Sequence, residues 1–271
     1  MNLVKFPAFN LELKFSQIAF HLFGIPIYKY AVCVVIGILV ALILARISKE
    51  KFGNKFEDIL ELSLYAIIAG IIGARIYFVI FNLKYYLSSP LQILKFRDGG
   101  LAIYGGLITG IIVVLIYCKI KNIKLLNCLD YIVPFVAIAQ SIGRWGNFFN
   151  VEAYGKITTF VFRMGIESSN GYIEVHPVFL YESILTFLIF LFLRHKQKTR
   201  KFEGEIFLEY LMVYSFVRFF LEEVRSDSLM LFNFRISQIL SVFIFIISLI
   251  FFIKNTKIMT KKCNIINNEK E

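Results

Sequence analysis

Long apolar segments with almost no charged residues constrain this chain most strongly. Residues 30–45, 99–118 and 236–253 contain no Asp, Glu, Lys or Arg, and residues 62–83 contain only Arg75. A helix that crosses the hydrocarbon core of a bilayer needs about 20 mostly apolar residues. These segments therefore predict membrane-spanning helices. The hydrophobic content of 58% agrees, because soluble domains are usually about half apolar or less.

Three weaker apolar segments bring the predicted set to seven spans. They are residues 125–143, 177–193 and 206–221, and ionisable side chains interrupt each of them. The predicted fold class is an all-α integral membrane protein of about seven transmembrane helices. The interrupting residues are Asp130 in the fourth span, Glu182 in the fifth, and Glu209 and Arg218 in the sixth.

The formal net charge of +11 is concentrated in alternate loops, which favours a membrane topology over a nucleic-acid surface. Cytoplasmic loops carry the excess of Lys and Arg, so the pattern predicts an outer N-terminus and a cytoplasmic C-terminus. The basic residues follow the first, third, fifth and seventh predicted spans: Arg46, Lys49, Lys51 and Lys55; Lys119, Lys121 and Lys124; Arg194, Lys196, Lys198, Arg200 and Lys201; Lys254, Lys257, Lys261 and Lys262.

The sequence predicts a single polytopic membrane domain, residues 1–253, that begins with an interfacial segment and is followed by a tail. Residues 1–27 form an outer interfacial segment in this interpretation, because His21 and a Gly-Ile-Pro break interrupt its apolar run. Residues 254–271 form a polar, disordered cytoplasmic tail. The four cysteines have no paired spacing and are interpreted as packing residues, without a disulfide framework or metal site.

Arginines within apolar segments need partners. An Arg at the centre of a membrane helix costs about 2.5–3.5 kcal/mol on insertion scales. In and directly after the sixth predicted span, Tyr214, Arg218, Glu222 and Arg225 are spaced so that they share one helical face. This face is interpreted either as an Arg218–Glu222 pair against a neighbouring helix or as the wall of a polar cavity.

Residues 143–155 read GRWGNFFNVEAYG and form the densest polar motif. Glycines let a backbone approach a ligand closely. Arg144, Asn147 and Asn150 recur every three residues, so a helical turn would point them in the same direction. The alternative is an ordinary outer-leaflet loop with an aromatic anchor.

Two further motifs lie at the same predicted face of the membrane. His176 precedes Pro177 at the start of the fifth span, where a histidine acts as a hydrogen-bonding cap or as a catalyst. Glu182, deeper in that span, needs a positive partner, and an arginine from another element is the candidate. The glycines around Tyr104 serve either close helix packing or the approach of a headgroup.

The planar guanidinium group of arginine can donate two hydrogen bonds to phosphate oxygens. Arg144 and Arg218 therefore predict a site for an anionic phospholipid at the outer face. The three histidines lack ligand spacing, and there is no P-loop or GxSxG motif, so no metal site is expected. These features alone define no reaction. A transporter or flippase for an anionic lipid or solute, and a non-catalytic lipid-binding protein, remain as alternatives.

The motif at residues 143–155 resembles the signature of the prolipoprotein diacylglyceryl transferase family. Further blocks follow in the order that this family shows, and the resemblance extends over residues 30–227, with the same seven-helix, N-out topology. The supporting blocks are Tyr30, residues 73–75, residues 99–106, residues 176–182 and residues 214–225.

The resemblance implies an enzyme that transfers the sn-1,2-diacylglyceryl group from phosphatidylglycerol to a cysteine thiol. This cysteine lies in the lipobox of a preprolipoprotein signal peptide, and a thioether and glycerol phosphate are the products. The partners implied are phosphatidylglycerol, signal peptides and membrane lipids, without nucleic acid or cofactor. The implied location is the bacterial cytoplasmic membrane, with the active site toward the outer face.

The resemblance also implies roles for individual residues. Arg144 would hold the lipid headgroup, and Arg218 would act on the leaving phosphate. The remaining residues would shape the motif loop or line the cavity: Asn147, Glu152 and Gly155 in the first group, and Tyr30, Tyr214, Glu222 and Arg225 in the second.

The chain departs from the family pattern at Tyr104, where many members have a histidine that has been assigned as the base. Tyrosine has a pKa near 10 and is a poor base at neutral pH. Either no protein base acts at this position, or another group such as His176 or Glu222 takes the proton. Ala31 and Ser215 also replace glycines that are usual in the family, with consequences for packing.

Overall fold

The computed structural model describes residues 2–48, 51–96, 99–168, 171–228, 230–232 and 234–268. It is mostly helical, as the apolar segments predicted. The helices are α1 (Lys29–Ile47), α2 (Phe56–Phe81), α3 (Leu83–Ser88), α4 (Ile103–Ile120), α5 (Leu125–Asn150), α6 (Val178–Lys196), α7 (Glu205–Val224) and α8 (Ile236–Asn268).

Six helices in the described part of the chain are long and apolar enough to cross a membrane: α1, α2, α4, α5, α6 and α8. Their large apolar side chains, such as Ile36, Ile72, Leu107 and Ile246, are exposed on the helix surfaces. In a bilayer such side chains meet hydrocarbon, while the helices satisfy their own backbone hydrogen bonds. A multi-pass membrane protein is therefore confirmed.

The sixth predicted span forms α7, which is not among the six. This helix contains Glu205, Glu209, Arg218, Glu222 and Glu223, and that charge separates it from the apolar helices. Length and composition therefore leave the predicted count of seven spans unconfirmed.

Strands correct the expectation of an all-α fold. An antiparallel sheet has the order β2-β1-β5-β6, and two hairpins pair β3 with β4 and β7 with β8. The β3–β4 hairpin turns at Phe23-Gly24, both with positive φ, as a two-residue type I′ turn requires. The strands are β1 (Asn2–Phe6), β2 (Leu11–Phe15), β3 (Ile18–Leu22), β4 (Ile25–Tyr28), β5 (Met164–Ser168), β6 (Gly171–Val175), β7 (Met230–Leu231) and β8 (Phe234–Arg235).

The four-stranded sheet packs against the ends of two membrane helices. Val4 of β1, Ile166 of β5 and Val175 of β6 form one buried cluster with Phe148 of α5 and Phe179 of α6. Residues 1–27, predicted as an interfacial segment, thus supply two strands of a sheet with its own apolar core. This core fixes the chain that links α5 to α6.

The chain divides into two compact units, Met1–Ser48 with Ile132–Glu271, and Lys49–Tyr131. In the second unit α2 and α4 pack at glycines. A Cβ atom at Gly105 would overlap the carbonyl oxygen of Gly73, and one at Gly106 would lie 3.3 Å from the Gly70 oxygen. The close-packing interpretation of the glycines around Tyr104 is therefore confirmed for this pair.

Arg75 lies in the second unit and is 3% exposed. Its guanidinium group also faces the rings of Tyr86 and Phe96, at 5.3 and 5.9 Å from their centroids. All five N–H donors have a carbonyl acceptor in the segment before α4, so Arg75 is a structural residue that ties this segment to α2. The acceptors are the backbone oxygens of Gln92 (2.5 Å), Ile93 (3.0 Å), Lys95 (3.2 Å), Gly99 (2.7 Å) and Gly100 (3.1 Å).

The last helix corrects the expectation for the C-terminal tail. The sequence predicted disorder from residue 254, but the described backbone of α8 is helical to Asn268. The Asn- and Lys-rich composition of this segment is compatible with a helix, because Lys has a good helix propensity and no Pro interrupts it.

Candidate active site

The end of α5 carries the first part of the site. The helix continues through the Gly-Arg motif to Asn150, so Arg144 and Asn147 fall on one face, and the Arg144 Nη1 donates to Asn147 Oδ1 at 3.5 Å. Tyr30 of α1 packs against this turn. A Cβ atom at Gly146 would lie 2.7 Å from the Tyr30 ring, so only glycine fits there.

Glu182 of α6 is the centre of the site. It is 2% exposed, and its two carboxylate oxygens meet guanidinium groups from two other helices. Arg144 Nη2 of α5 donates to Oε1 at 2.5 Å, and Arg218 Nη1 of α7 donates to Oε2 at 3.3 Å. The Tyr214 hydroxyl also donates to Oε1, at 3.2 Å. The prediction that Glu182 pairs with an arginine from another element is confirmed.

Arg218 has a second carboxylate partner on its own helix. Its Nη2 lies 2.7 Å from Glu222 Oε2, one turn further along α7. The contact is an ion pair without hydrogen-bond alignment, and Glu222 Oε2 has no hydrogen-bond partner among the described residues. Glu222 is 2% exposed. The first interpretation of this helix face is confirmed, since Arg218 pairs with Glu222 and also faces α6. The wall of a polar cavity stays a prediction.

Two residues with unusual backbone conformation flank Glu152 in the loop after α5. Val151 and Ala153 have φ of 53° and 52°, in the left-handed region that β-branched residues rarely adopt. This backbone holds Glu152 against the end of α5, where Asn147 Nδ2 donates to Glu152 Oε1 at 2.9 Å. The Glu152 N–H donates in turn to the Asn147 carbonyl at 3.0 Å. Strain of this kind persists where surrounding contacts fix the conformation, often at functional sites.

Gly155 lies where the motif loop passes between two other elements. Its N–H donates to the His176 carbonyl at 2.9 Å, and a Cβ atom would lie 3.0 Å from the Val224 carbonyl oxygen at the end of α7. His176 Nδ1 is 3.3 Å from the Tyr181 hydroxyl. Burial lowers the pKa of the His176 imidazole, which is therefore neutral at pH 7.

Two predicted residues remain, Arg225 at the end of α7 and Tyr104 at the start of α4. Arg225 caps α7, pairs with Gly155 in a backbone bridge, and donates to both carboxylate oxygens of Asp227, at 3.0 and 2.9 Å. Tyr104 belongs to the second unit, in the first turn of α4, with 36% of its surface exposed. Its role stays a prediction.

The predicted site omitted the residues that hold α6 in register. Ser141 of α5 and Ser183 of α6 each donate to the carbonyl of the other, at 2.8 Å, whereas Thr186 donates within α6 to the Glu182 carbonyl at 2.7 Å. The sequence signal for Glu182 itself was a carboxylate in an apolar helix. Serines carry no such signal, because a lone hydroxyl in a helix can bond its own backbone.

The fold and the site together define a class of protein. It is a multi-pass membrane protein in which three helices converge on two guanidinium groups that share one buried carboxylate. A guanidinium group can donate two parallel hydrogen bonds to two phosphate oxygens. Within a membrane, such groups fit the phosphate of a lipid headgroup.

Comparison with known proteins identifies the family. The sequence model of the prolipoprotein diacylglyceryl transferase family matches residues 17–254, and the chain belongs to this family. A phosphatidylglycerol–prolipoprotein diacylglyceryl transferase of Clostridioides difficile is 43% identical over 227 residues, 84% of this chain and 90% of the relative. The enzyme of the same name from Finegoldia magna is 42% identical over 248 residues, 91% of this chain and 98% of the relative. The predicted family is confirmed.

Proposed function

We propose that this protein transfers the sn-1,2-diacylglyceryl group of phosphatidylglycerol to the lipobox cysteine of preprolipoproteins. The sulfur forms a bond to the glycerol carbon of the lipid, and the bond from that carbon to the phosphate oxygen breaks. The electron pair stays with the glycerol phosphate that leaves, and the thiol proton passes to an acceptor. The observation that carries this proposal is the pairing of Arg144 and Arg218 around Glu182 within membrane helices.

Two guanidinium groups suit the charge that develops in this reaction. The phosphate of the lipid is a diester with one negative charge, and it becomes a more highly charged monoester as the bond breaks. Arg144 and Arg218 are held in place before the reaction, so their interaction strengthens towards the transition state. Positive charge nearby also favours the thiolate form of the attacking cysteine.

The other motif residues complete the lipid site in this proposal. Asn147 and Glu152 join the end of α5 to its loop through their hydrogen bond, and Gly155 gives that loop its close passage beside His176. Tyr30 and Tyr214 line the headgroup cavity, and Arg225 stands at the end of α7. These residues orient phosphatidylglycerol and leave the bond chemistry to the two arginines.

Three residues are candidates to accept the thiol proton: Glu222, His176 and Tyr104. Glu222 is ion-paired with Arg218, whereas His176 is neutral at pH 7 because burial lowers its pKa. If His176 accepts the proton, the rate falls as acid protonates the ring below its lowered pKa. The His176→Asn variant should then lose this acid limb. An unchanged limb would assign it to another group.

We further propose that α7 is a seventh span. Lys196 pairs with Glu209 at 2.8 Å, and Glu182 pairs with Arg218 at 3.3 Å, so α7 runs antiparallel along α6. Its 20 residues extend about 30 Å, the thickness of the hydrocarbon core. Glu209, Arg218, Glu222 and Glu223 form ion pairs, and Glu205 accepts hydrogen bonds from backbone N–H groups, which makes the crossing tolerable.

The site lies at one end of these antiparallel helices: the C-terminal ends of α5 and α7 and the N-terminal end of α6. The opposite end of α6 leads into the basic loop 194–201, which the positive-inside rule assigns to the cytoplasm. We therefore place the N-terminus and the active site at the outer face of the bacterial cell membrane. Labelling of single cysteines by an impermeant reagent tests this orientation.

Reconstitution tests the activity directly. Vesicles that contain the protein and phosphatidylglycerol are incubated with a lipobox peptide, and the peptide mass and released glycerol phosphate are measured. We expect a diacylglyceryl adduct and one glycerol phosphate per adduct. Arg144→Lys should lose at least about 100-fold in rate, because an ammonium group cannot make the paired contact. Arg163→Lys, at an ion pair outside the site, is the matched control.

Failure of this assay has a defined meaning. No adduct in wild-type vesicles, under conditions where a known transferase reacts, would refute the enzyme proposal. Movement of phosphatidylglycerol between leaflets without an adduct would instead support the flippase alternative.

A further inference from the structure

The four ion-paired groups at Glu182 balance one another in charge. Arg144 and Arg218 supply two positive charges, and Glu182 and Glu222 supply two negative charges. A site in such balance has no surplus charge to offer an anion. A phosphate that enters it must either add an unmatched negative charge or replace a carboxylate.

Glu182 occupies the position that a phosphate would need. One of its carboxylate oxygens faces Arg144 and the other faces Arg218. Phosphate and carboxylate both present paired oxygens to guanidinium groups, so they compete for the same N–H donors. Among the described residues, the Nε atom of Arg218 donates no hydrogen bond, which leaves a donor for an incoming oxygen.

The helix that carries Glu182 is held while its side chain is free to change partner. The reciprocal bonds of Ser141 and Ser183 tie α6 to α5 one residue beyond Glu182. The Tyr214 hydroxyl is a neutral donor to Glu182 Oε1, and a phosphate has no charge attraction for it. A carboxylate displaced from the arginines can therefore keep one hydrogen bond without a helix movement.

We propose that Glu182 is a positioning residue that acts as an exchangeable counter-ion. It holds both guanidinium groups towards one point in the resting state, and the lipid phosphate displaces it on binding. After the transfer, Glu182 competes with the product phosphate for the arginines and speeds its release. This inference rests on the proposed function, because it assumes that the anion is a phosphate.

Two substitutions separate the effect of the Glu182 charge from the effect of its side-chain length. Glu182→Gln keeps the length of the side chain and removes the competing charge. We expect it to bind glycerol phosphate about tenfold more tightly or better, since one buried like charge is removed beside the anion. Turnover should fall together with KM, because the product leaves slowly. Glu182→Asp keeps the charge, so its affinity for glycerol phosphate should stay within about threefold of wild type.

Binding is measured in detergent without any peptide, so that no transfer occurs. The probes are sn-glycerol 1-phosphate and phosphatidylglycerol. The readouts are the fluorescence of Trp145, the only tryptophan of the chain and the neighbour of Arg144, and the thermal stabilisation by each probe. Glu223→Gln is the matched control, because Glu223 is an exposed carboxylate on α7 that pairs with Lys156. Its affinity should equal that of wild type.

Equal or weaker phosphate binding by Glu182→Gln would overturn the proposal and leave Glu182 a purely structural residue. If Glu182→Gln is unstable without ligand, glycerol phosphate should restore its folding by replacing the missing charge. A variant that stays unfolded at saturating glycerol phosphate also overturns the proposal. Tighter binding by Glu182→Gln, with no peptide adduct in wild-type vesicles, would instead support the counter-ion role and refute the proposed transfer.

Discussion

Replacing Arg75 by lysine breaks some of the hydrogen bonds that the Arg75 guanidinium group makes with all five of its N–H donors. The guanidinium group donates to five backbone carbonyl groups of the loop before α4, at distances between 2.5 and 3.2 Å. An ammonium group has three donors, so at least two of these carbonyl groups lose their partner. Hydrogen bonds to a charged group contribute about 1.5–3 kcal/mol each.

The expected loss in the free energy of unfolding for Arg75→Lys is therefore about 3 kcal/mol or more. The stacking of the guanidinium plane over Tyr86 is lost as well, because lysine has no planar group. For a protein of this size a loss of 1 kcal/mol lowers Tm by about 2–4 °C, so we expect a decrease of about 6 °C or more.

Thermal unfolding in detergent measures this decrease. Arg163→Lys is the control, because Arg163 is a partly exposed arginine in an ion pair, and such pairs contribute at most about 1 kcal/mol. A Tm for Arg75→Lys within about 1 °C of wild type, or an equal shift in both variants, would refute the assignment of Arg75 as a structural clamp.

Three other substitutions test separate parts of the interpretation. Tyr104→His should retain transfer activity, since histidine is the better base, and a loss in the vesicle assay would give the tyrosine a role of its own. Ala153→Gly should leave stability unchanged or raise it by up to about 1 kcal/mol, because glycine removes the left-handed strain; a lower Tm would contradict this. Ser183→Ala should lower stability by about 1–2 kcal/mol, since it breaks the reciprocal pair with Ser141, and an unchanged Tm would show that the pair is dispensable.

Helix positions could be predicted from the sequence because they depend on local properties. The thickness of the bilayer sets the length of an apolar segment, so residues 30–45 and 236–253 correspond to α1 and to the first half of α8. The helical repeat likewise places Arg144 and Asn147 on one face without knowledge of any other element.

Strand pairing could not be predicted in this way. Val4 and Lys5 pair with Ile166 and Gly165, far along the chain, and nothing in either short segment identifies the other. The stability of a strand depends on its neighbours in the sheet more than on its own residues. The sequence therefore predicted an interfacial segment at residues 1–27 without the strands that the structure has there.

The arginines show most clearly what each level of structure decides. The sequence by itself determined that Arg75 and Arg218 need partners, because an unpaired charge within a membrane helix is too costly. It also determined the family, through the motif at residues 143–155. Only the tertiary structure decided that Arg75 binds loop carbonyl groups while Arg218 shares the carboxylate of Glu182 with Arg144. The physical reason is that the cost of a buried charge is local, whereas its partner comes from wherever the fold brings a second helix or loop.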